Sequence, residues 1–370
     1  IGNKTKPEVV LISGSSGFVG QHVVKSLQHY SENVREIVLF DVKPYRNRLK
    51  HSTEIPMRQI IGDVTKLDEV RRALKGVDSV VHTAGLVEFG SCPDVERLME
   101  VNVKGTANII QASVENKVSR LVYTSSVDVV IGFEELVDVT EGDCPTPAKL
   151  LFEGYPESKR QAENLVLKAH GRVLVNNYDD DYGESKKYLS TLSLRPSVLY
   201  GEEDPYYVTS GLKSAQKNNG VLYRVGDGSA VFQQAYAGNI AYAHVCALAA
   251  LARDCNLGGR AFFVTDDTPC LNSFAFMQNF LPLYGYRLSD WYIPYPAAYS
   301  LFWVFDVFIR ILKPVFKLNT DINLASIIYV NKTFTFNRRA CEDVIGYKPI
   351  YSPEESIERS KKYYSSCLDD

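Results

Sequence analysis

The stretch "PEVVLISGSSGFVGQHVVKSLQHY", residues 7–30, carries the fold. Its "EVVLIS" is an apolar, β-branched run, the composition of a buried strand. Gly14, Gly17 and Gly20 follow as G-x-x-G-x-x-G, with Phe18 and Val19 inside the motif, and a stretch of helical period comes next. Glycines at this spacing let a turn close tightly and let backbone approach a pyrophosphate at a helix N-terminus. A glycine triplet alone is weak evidence. Here a strand precedes it, a helix follows it, and an acidic residue ends the next strand. That residue is Asp41 in "REIVLFDV", 21 positions past Gly20, where a carboxylate binds the adenosine ribose hydroxyls. A carboxylate there repels a 2′-phosphate, so NAD is expected over NADP, a preference that Lys43 and Arg46 weaken.

The same rhythm continues outward. "MRQIIGDV" reads as a third strand ending on Asp63, with Val64 beside it, and Asp63 is placed to meet the adenine. "KLDEVRRALKG" is a helix closed by glycine, and "DSVVHTAG" a fourth strand that brings Thr83, Ala84 and Gly85 beside the cofactor. A long helix, "DVERLMEVNVKGTANIIQASVENK", leads to a fifth strand, "SRLVYTSS". "STLSLRPSVLYG" is a sixth strand, "AYAGNIAYAHVCALAALA" a buried helix and "RAFFVTDD" a seventh strand. Strands alternating with helices predict an α/β fold, a Rossmann-type doubly wound parallel sheet with helices on both faces. We expect a cofactor-binding domain over residues 1–200, mainly 8–200, with strands returning from 230–270. A smaller C-terminal substrate-binding part covers 201–370. The polar, acidic stretch 176–187 reads as a loop insertion.

The bulk numbers fit a folded enzyme. The 370 residues suffice for one large domain or two modest ones, and 45% hydrophobic with 23% charged residues is ordinary for a globular chain. A net charge of −3 gives no reason to expect nucleic acid as a partner. Seven cysteines without a C-x-x-C argue for reduced thiols facing a reducing compartment, and six histidines lack metal-ligand spacing, so no metal is expected. The first residue is Ile1 rather than methionine, which leaves the true start open, and no signal peptide is visible in the stretch shown.

"EGYPESKRQAENLVL", residues 153–167, places Tyr155 and Lys159 one helical turn apart, with Pro156 suited to a first turn. Such a pair is commonplace by itself. Ser125 and Ser126 change its weight, because they end the fifth strand at the edge where open α/β sheets bind ligands. The set Ser…Tyr-x-x-x-Lys behind a glycine motif resembles the short-chain dehydrogenase/reductase family in its extended form. Tyrosine titrates near ~10. A neighbouring ammonium and a cationic nicotinamide favour its phenolate. Tyr155 then takes the proton of a substrate hydroxyl, Lys159 also holds the nicotinamide ribose, and a serine bonds the reacting oxygen. Ser126 is favoured for that last role, with Ser125 the fallback; Asn102 matches a position that braces the sheet.

"YPESKRQAE", "LRPSVLYG", "AYAGNIAYAH", "FFVTDDTP" and "FTFNRRACEDVIGYKPIYSPEESIE" sharpen this further. From about Val9 to about Tyr364 the chain resembles the 3β-hydroxysteroid dehydrogenase/Δ5-isomerase family. The resemblance implies NAD-dependent oxidation of a 3β-hydroxyl on a steroid or sterol, followed in some members by Δ5-to-Δ4 isomerisation. It also implies membranes of the endoplasmic reticulum or mitochondria, and it leaves a homodimer open. One departure concerns isomerisation. Steroid-processing members carry tyrosines just before "DDTP", one with a proton-transfer role, whereas this chain has Phe262 and Phe263. Asp266 and Asp267 remain as candidates for moving a proton, beside the plainer reading of "DDTP" as a turn and helix cap.

The segment 292–318, "YIPYPAAYSLFWVFDVFIRILKPVFKL", is the most apolar in the chain. Its run Ala297–Ile309 covers 13 residues and includes Asp306, too short for a crossing that needs about 20. Aromatic residues with Lys313 and Lys317 suit a helix lying in a membrane surface, and a buried roof over the substrate pocket is the other reading. Other activities stay open at this point. They are a sterol-4α-carboxylate 3-dehydrogenase (decarboxylating), a nucleotide-sugar dehydrogenase or epimerase, and an NAD-binding scaffold without catalysis. A nucleotide-sugar enzyme needs basic residues for a diphosphate in its C-terminal part.

Overall fold

The computed structural model describes residues 7–174, 187–312, 319–320 and 322–368. Most of the acidic stretch 176–187, with Lys313 and Lys317, lies outside them. The central sheet is built from β1 (Glu8–Ser13), β2 (Val34–Asp41), β3 (Met57–Ile61), β4 (Ser79–His82), β5 (Arg120–Thr124), β6 (Tyr188–Pro196) and β7 (Arg260–Val264). Their order across the sheet is β7-β6-β5-β4-β1-β2-β3. Every neighbouring pair in that order is parallel, with Ile12 opposite Leu39 on one side and Val81 on the other. A short strand, Arg172–Val173, adds to β6 in antiparallel fashion.

Both faces of this sheet are covered, which is why its strands are continuously apolar rather than alternating. Successive side chains still point to opposite faces. Val10 and Ile12 of β1 join one cluster, with α1 (Phe18–Tyr30) and a later helix, Ala237–Arg253. Val9 and Leu11 join the other, with α2 (Gly105–Glu115) and α3 (Tyr155–Ala169). The long helix read from the sequence before β5 is interrupted: Val95–Leu98 passes through a π-helical segment, Met99–Lys104, into α2. Asn102 sits inside that segment. The chain beyond residue 200 returns to the sheet through Ala237–Arg253 and β7.

The sixth strand departs from expectation. It was expected to run through "PSVLYG", but β6 stops at Pro196, and Val198–Tyr200 pairs instead with Gln234–Tyr236. Proline has no N–H for a ladder, so the chain leaves the sheet there. The chain is thereby steered into the C-terminal part, where Phe232, Ile328, Phe334 and Phe336 pack on Val127, Ile131 and Leu151. That cluster forms the apolar ground beside the strand ends. The helix α4 (Tyr295–Leu312) lies against α5 (Leu324–Tyr329). No described helix is long and apolar enough to cross a membrane.

Candidate active site

The strand order reverses between β1 and β4, the place where open α/β sheets set their ligand crevice, outside the C-terminal strand ends. The glycine turn fills this crevice without side chains. Gly14 has φ +73°, and a Cβ on it would meet Ala84 N at 2.6 Å; a Cβ on Gly20 would fall 2.0 Å from Gly14 O. No side chain caps the start of α1, whose N-terminal cap position is Gly17, so its first N–H groups face the turn. Asp41, at the last position of β2, accepts from Ser16 N at 2.9 Å and from Lys43 N at 2.9 Å, which fixes its carboxylate beside the loop. Phe18 stacks edge-on with His22, and Val19 packs on the core. Asp63, two residues beyond β3, accepts from Thr65 N at 2.8 Å, and Val64 is buried beneath Gly105. Thr83 Oγ1 donates to Ser13 O at 2.7 Å. A Cβ on Gly85 would lie 3.8 Å from Lys159 Nζ, so the fourth strand joins the glycine turn to the Tyr–Lys helix. This cradle suits a dinucleotide: a bare turn, an uncapped helix start and an anchored carboxylate.

Helix α3 begins after Gly154, whose φ is +79°, and places Pro156 in its first turn. Besides Pro156, its buried positions, Tyr155, Ser158, Lys159, Ala162, Glu163, Val166 and Ala169, follow helical spacing. The first turn is pinned. Asn102 Nδ2 donates to Ser158 Oγ at 2.8 Å and Ser158 Oγ donates to Tyr155 O at 2.7 Å. Asn102 Oδ1 also accepts from Leu86 N at 2.7 Å. Asn102 thus braces the helix that carries Tyr155. Beneath it runs a buried chain in which Ser13 Oγ meets His82 Nδ1 at 2.6 Å and His82 Nε2 meets Thr106 Oγ1 at 2.9 Å. Burial, and then the Lys159 charge, push His82 down to about 3, so its ring is neutral.

Ser126 Oγ donates to Asp128 Oδ2 at 2.7 Å, and its hydroxyl favours the Tyr155 phenolate. Ser125 Oγ is buried with no hydrogen-bond partner. Lys159 Nζ donates to Thr124 O at 2.5 Å and lies 4.3 Å from the Tyr123 ring centre. Burial raises the Tyr155 pKa, the Asp128 carboxylate raises it further, and only the Ser126 bond works for the phenolate. Lys159 is itself pushed down to about 7 by burial, which Glu163 partly offsets. The two groups share a helix face.

The wall over Tyr155 is aromatic. Phe89 lies 4.9 Å from Tyr155 and 4.9 Å from Phe152, ring centre to ring centre, and Tyr329 stands 5.8 Å from Phe152 and 5.1 Å from Phe232. Phe89 is held from below. Asn323 Nδ2 donates to Phe89 O at 2.6 Å, Ser91 N to Thr320 O at 3.1 Å and Cys92 N to Asn319 Oδ1 at 3.1 Å. Asp128, Phe89 and Tyr329 were missed from the sequence. Only Asp128 had a local signal, two residues past Ser126. The suggested isomerase carboxylates are both engaged. Asp266 is buried and accepts from Tyr236 N at 2.8 Å, Asn239 Nδ2 at 2.9 Å and Thr268 N at 3.0 Å. Asp267 pairs with Arg338 at 2.6 Å. Phe262 and Phe263 are buried in β7.

Comparison with known proteins follows this geometry. The chain matches the 3-beta hydroxysteroid dehydrogenase/isomerase family over residues 11–295. It is 32% identical over 363 residues to 3 beta-hydroxysteroid dehydrogenase type 7 of Mus musculus, covering 95% of this chain and 94% of the mouse protein. The chain belongs to the 3-beta hydroxysteroid dehydrogenase/isomerase family. It is therefore an oxidoreductase of the dehydrogenase type. Solved structures share the fold at lower identity. The epimerase Mth375 of Methanothermobacter thermautotrophicus has a TM-score of 0.70 at 17% identity, covering 98% of this chain and 94% of that one. MoeE5 in complex with UDP-glucuronic acid and NAD has a TM-score of 0.66 at 19% identity, covering 96% and 98%. Among the described residues no group of side chains is arranged to hold a metal ion.

Proposed function

We propose that this protein oxidises the 3β-hydroxyl of a steroid or sterol to the 3-ketone, with NAD as hydride acceptor. The observation that carries the reading is the Tyr155 hydroxyl, with Ser126 beside it and Lys159 one turn on, under a wall made of Phe89, Phe152 and Tyr329. Such a wall matches a flat, apolar ring system with one reacting oxygen. NAD supplies a nicotinamide carbon that takes the hydride. Gly14, Gly17, Phe18, Val19 and Gly20 hold its pyrophosphate side, Asp41 its ribose hydroxyls, and Asp63 with Val64 the adenine side. Thr83, Ala84 and Gly85 lie along the middle of the crevice, and Lys159 meets the nicotinamide ribose. Ser126 orients the substrate oxygen and Tyr155 takes its proton; Ser125 supports the strand end.

Against the sugar-nucleotide alternative, three described arginines of the C-terminal part are already engaged. Arg338 is paired with Asp267 and Glu342, Arg287 with Asp290, and Arg224 is bonded to Asp290 O. We read Asp266 and Asp267 as scaffold carboxylates, so a Δ5-to-Δ4 shift is not assigned to them. Helix α4 presents an apolar outer face; Trp303 is 52% and Phe308 54% exposed, beside Leu301, Val304 and Ile311. We read this face as resting in a membrane surface, of the endoplasmic reticulum by analogy with the family. Packed on α5, which bears Tyr329, it would deliver a lipid-dissolved sterol to the cleft.

Incubation with NAD and Δ5-3β-hydroxysteroids, followed by NADH absorbance and mass spectrometry, tests the reading. Formation of NADH with a 3-ketone is expected. Absence of turnover on every such substrate, with NAD bound normally, would leave the scaffold reading standing.

A further inference from the structure

The corner of the crevice assigned to the adenosine ribose carries more positive charge than an NAD site selected by a carboxylate needs, and the inference here rests on that assignment. Lys43, Arg46 and Arg48 all follow Asp41 within seven residues. Cations at this place ordinarily serve the 2′-phosphate of NADP. Lys43 and Arg46 are exposed, so water and salt screen them. Arg48 is held. Its Nη2 donates to Ser16 O at 2.5 Å, and Ser16 N is the group that donates to Asp41 Oδ2 at 2.9 Å. One residue, Ser16, thus ties both the guanidinium and the ribose carboxylate to the glycine turn. The segment between them is fastened as well, since Ser16 Oγ donates to Lys43 O at 3.0 Å and Gln21 Nε2 to Arg46 O at 2.8 Å.

The other end of the guanidinium is held from far along the chain. Arg48 Nη1 meets Glu203 Oε2 at 2.9 Å. Glu203 lies in the turn after Val198–Tyr200, and its φ is +70°. A side chain in that left-handed region is sterically costly and persists where its surroundings over-determine it. Both neighbours do so. His22 Nε2 meets Glu202 O at 2.8 Å, and the Tyr236 hydroxyl donates to Glu202 Oε2 at 2.7 Å. Asp204 accepts from Tyr206 N at 2.8 Å, from Val208 N at 2.8 Å and from the Tyr364 hydroxyl at 2.9 Å. The turn is locked on either side of Glu203, and Glu203 itself reaches across to Arg48.

We propose that Glu203 is a specificity-determining residue for the dinucleotide: it holds the Arg48 guanidinium in a neutralised pair and so withholds from NADP the cation that would bind its 2′-phosphate. NAD is then selected by two carboxylates from distant parts of the chain, Asp41 directly and Glu203 through Arg48. A 2′-phosphate arriving at this corner meets both carboxylates against one guanidinium whose two terminal nitrogens are already engaged. A 2′-hydroxyl carries no charge and is indifferent to that balance. Glu203 acts through Arg48 and is a positioning residue. The pair is partly exposed, 46% for the Arg48 side chain and 17% for that of Glu203. Releasing Arg48 is therefore worth about tenfold in affinity, the scale of one charge-assisted hydrogen bond.

The experiment measures the Kd of NAD and of NADP for the full chain by titration calorimetry, with no sterol present. It compares the unaltered protein with Glu203→Gln, Glu203→Asp, Arg48→Met and the double variant Glu203→Gln/Arg48→Met. Glu203→Gln should tighten NADP about tenfold relative to NAD. That gain should fade as salt is raised, because it comes from a phosphate contact. It should be absent from the double variant and from Glu203→Asp, which keeps the charge. Arg48→Met leaves the Glu203 carboxylate without that guanidinium and should weaken NADP relative to NAD. A purely structural role for Glu203 would weaken both dinucleotides alike. An unchanged ratio in Glu203→Gln, or a gain that survives the loss of Arg48, overturns the proposal. Should Glu203→Gln not fold, Arg48→Met decides alone, and an unchanged ratio there overturns it. Failure of the unaltered protein to bind either dinucleotide overturns the cofactor site and this proposal together. Absence of sterol oxidation with NAD bound overturns the proposed substrate and leaves the two Kd values to decide the role of Glu203.

Discussion

Glu163→Gln is the most informative single change, because it reaches the site without touching the crevice. Glu163 lies one turn past Lys159 on α3, and its side chain is 3% exposed. Arg195 Nη2 meets it at 2.7 Å and Arg195 Nε at 3.0 Å, while Ser193 Oγ donates to it at 2.8 Å. Glutamine keeps the shape and the Ser193 bond but strands the Arg195 guanidinium, 14% exposed, without its counter-charge. Removing one partner of a buried pair costs about 3–5 kcal/mol. With an unfolding entropy of about 2.1 cal/mol/K per residue, a chain of 370 residues should lose about 4–6 °C in Tm. Calorimetry at pH 7.5 measures this directly. The double variant Glu163→Leu/Arg195→Met removes both charges and should recover part of the loss. A Glu163→Gln protein melting within about 1 °C of the parent would refute the argument. The same substitution removes the charge that offsets the burial of Lys159, so that amine should titrate below its present value of about 7.

Further outcomes are expected. Tyr155→Phe should abolish turnover while NAD still binds by fluorescence quenching; retained activity would show that the phenol does not move the proton. Asp41→Ala should raise the KM for NAD and relax discrimination against NADP, and an unchanged cofactor preference would contradict the role given to the carboxylate. Lys159→Met should be inactive yet more stable. Burial depresses that pKa from 10.5 to about 7, so the folded chain binds fewer protons than the unfolded one between those values. The charged amine therefore opposes folding most at pH 7 and below, and the gain in Tm should fade toward pH 10. Trp303→Glu with Phe308→Glu should reduce sedimentation with phosphatidylcholine vesicles while leaving Tm within about 2 °C, since both side chains are largely exposed.

The parts of this molecule readable in advance are those governed by a few consecutive residues. Gly14, Gly17, Gly20 and Asp41 announce the crevice because a turn, a helix start and a strand end are local events. Strand β1 ends on Ser13 and β2 on Asp41, both as expected from the apolar runs. Where β6 would end was also a local matter, since Pro196 lies within the run, yet the apolar sequence on either side masked it. The acidity of Tyr155 was not readable. It depends on how much water the fold removes and on a carboxylate 27 residues upstream, and spacing along a helix reports neither. Phe89 and Tyr329, 240 residues apart, both pack on Phe152, a convergence no short motif encodes.

The loop bearing Phe89 is stitched to Asn319, Thr320 and Asn323, which come soon after the C-terminal end of α4 in the chain. The ring touching the reactive phenol and the helix with the greasy outer face are joined through α5, which packs on α4 and whose N-cap, Asn323, bonds Phe89 O. Were that outer face to rest on lipid, as proposed, tilting the helix would pull on the ring above the phenol. On the proposal that this face rests on lipid, an assay in plain buffer and one on lipid would interrogate two differently tensioned forms of the same cleft.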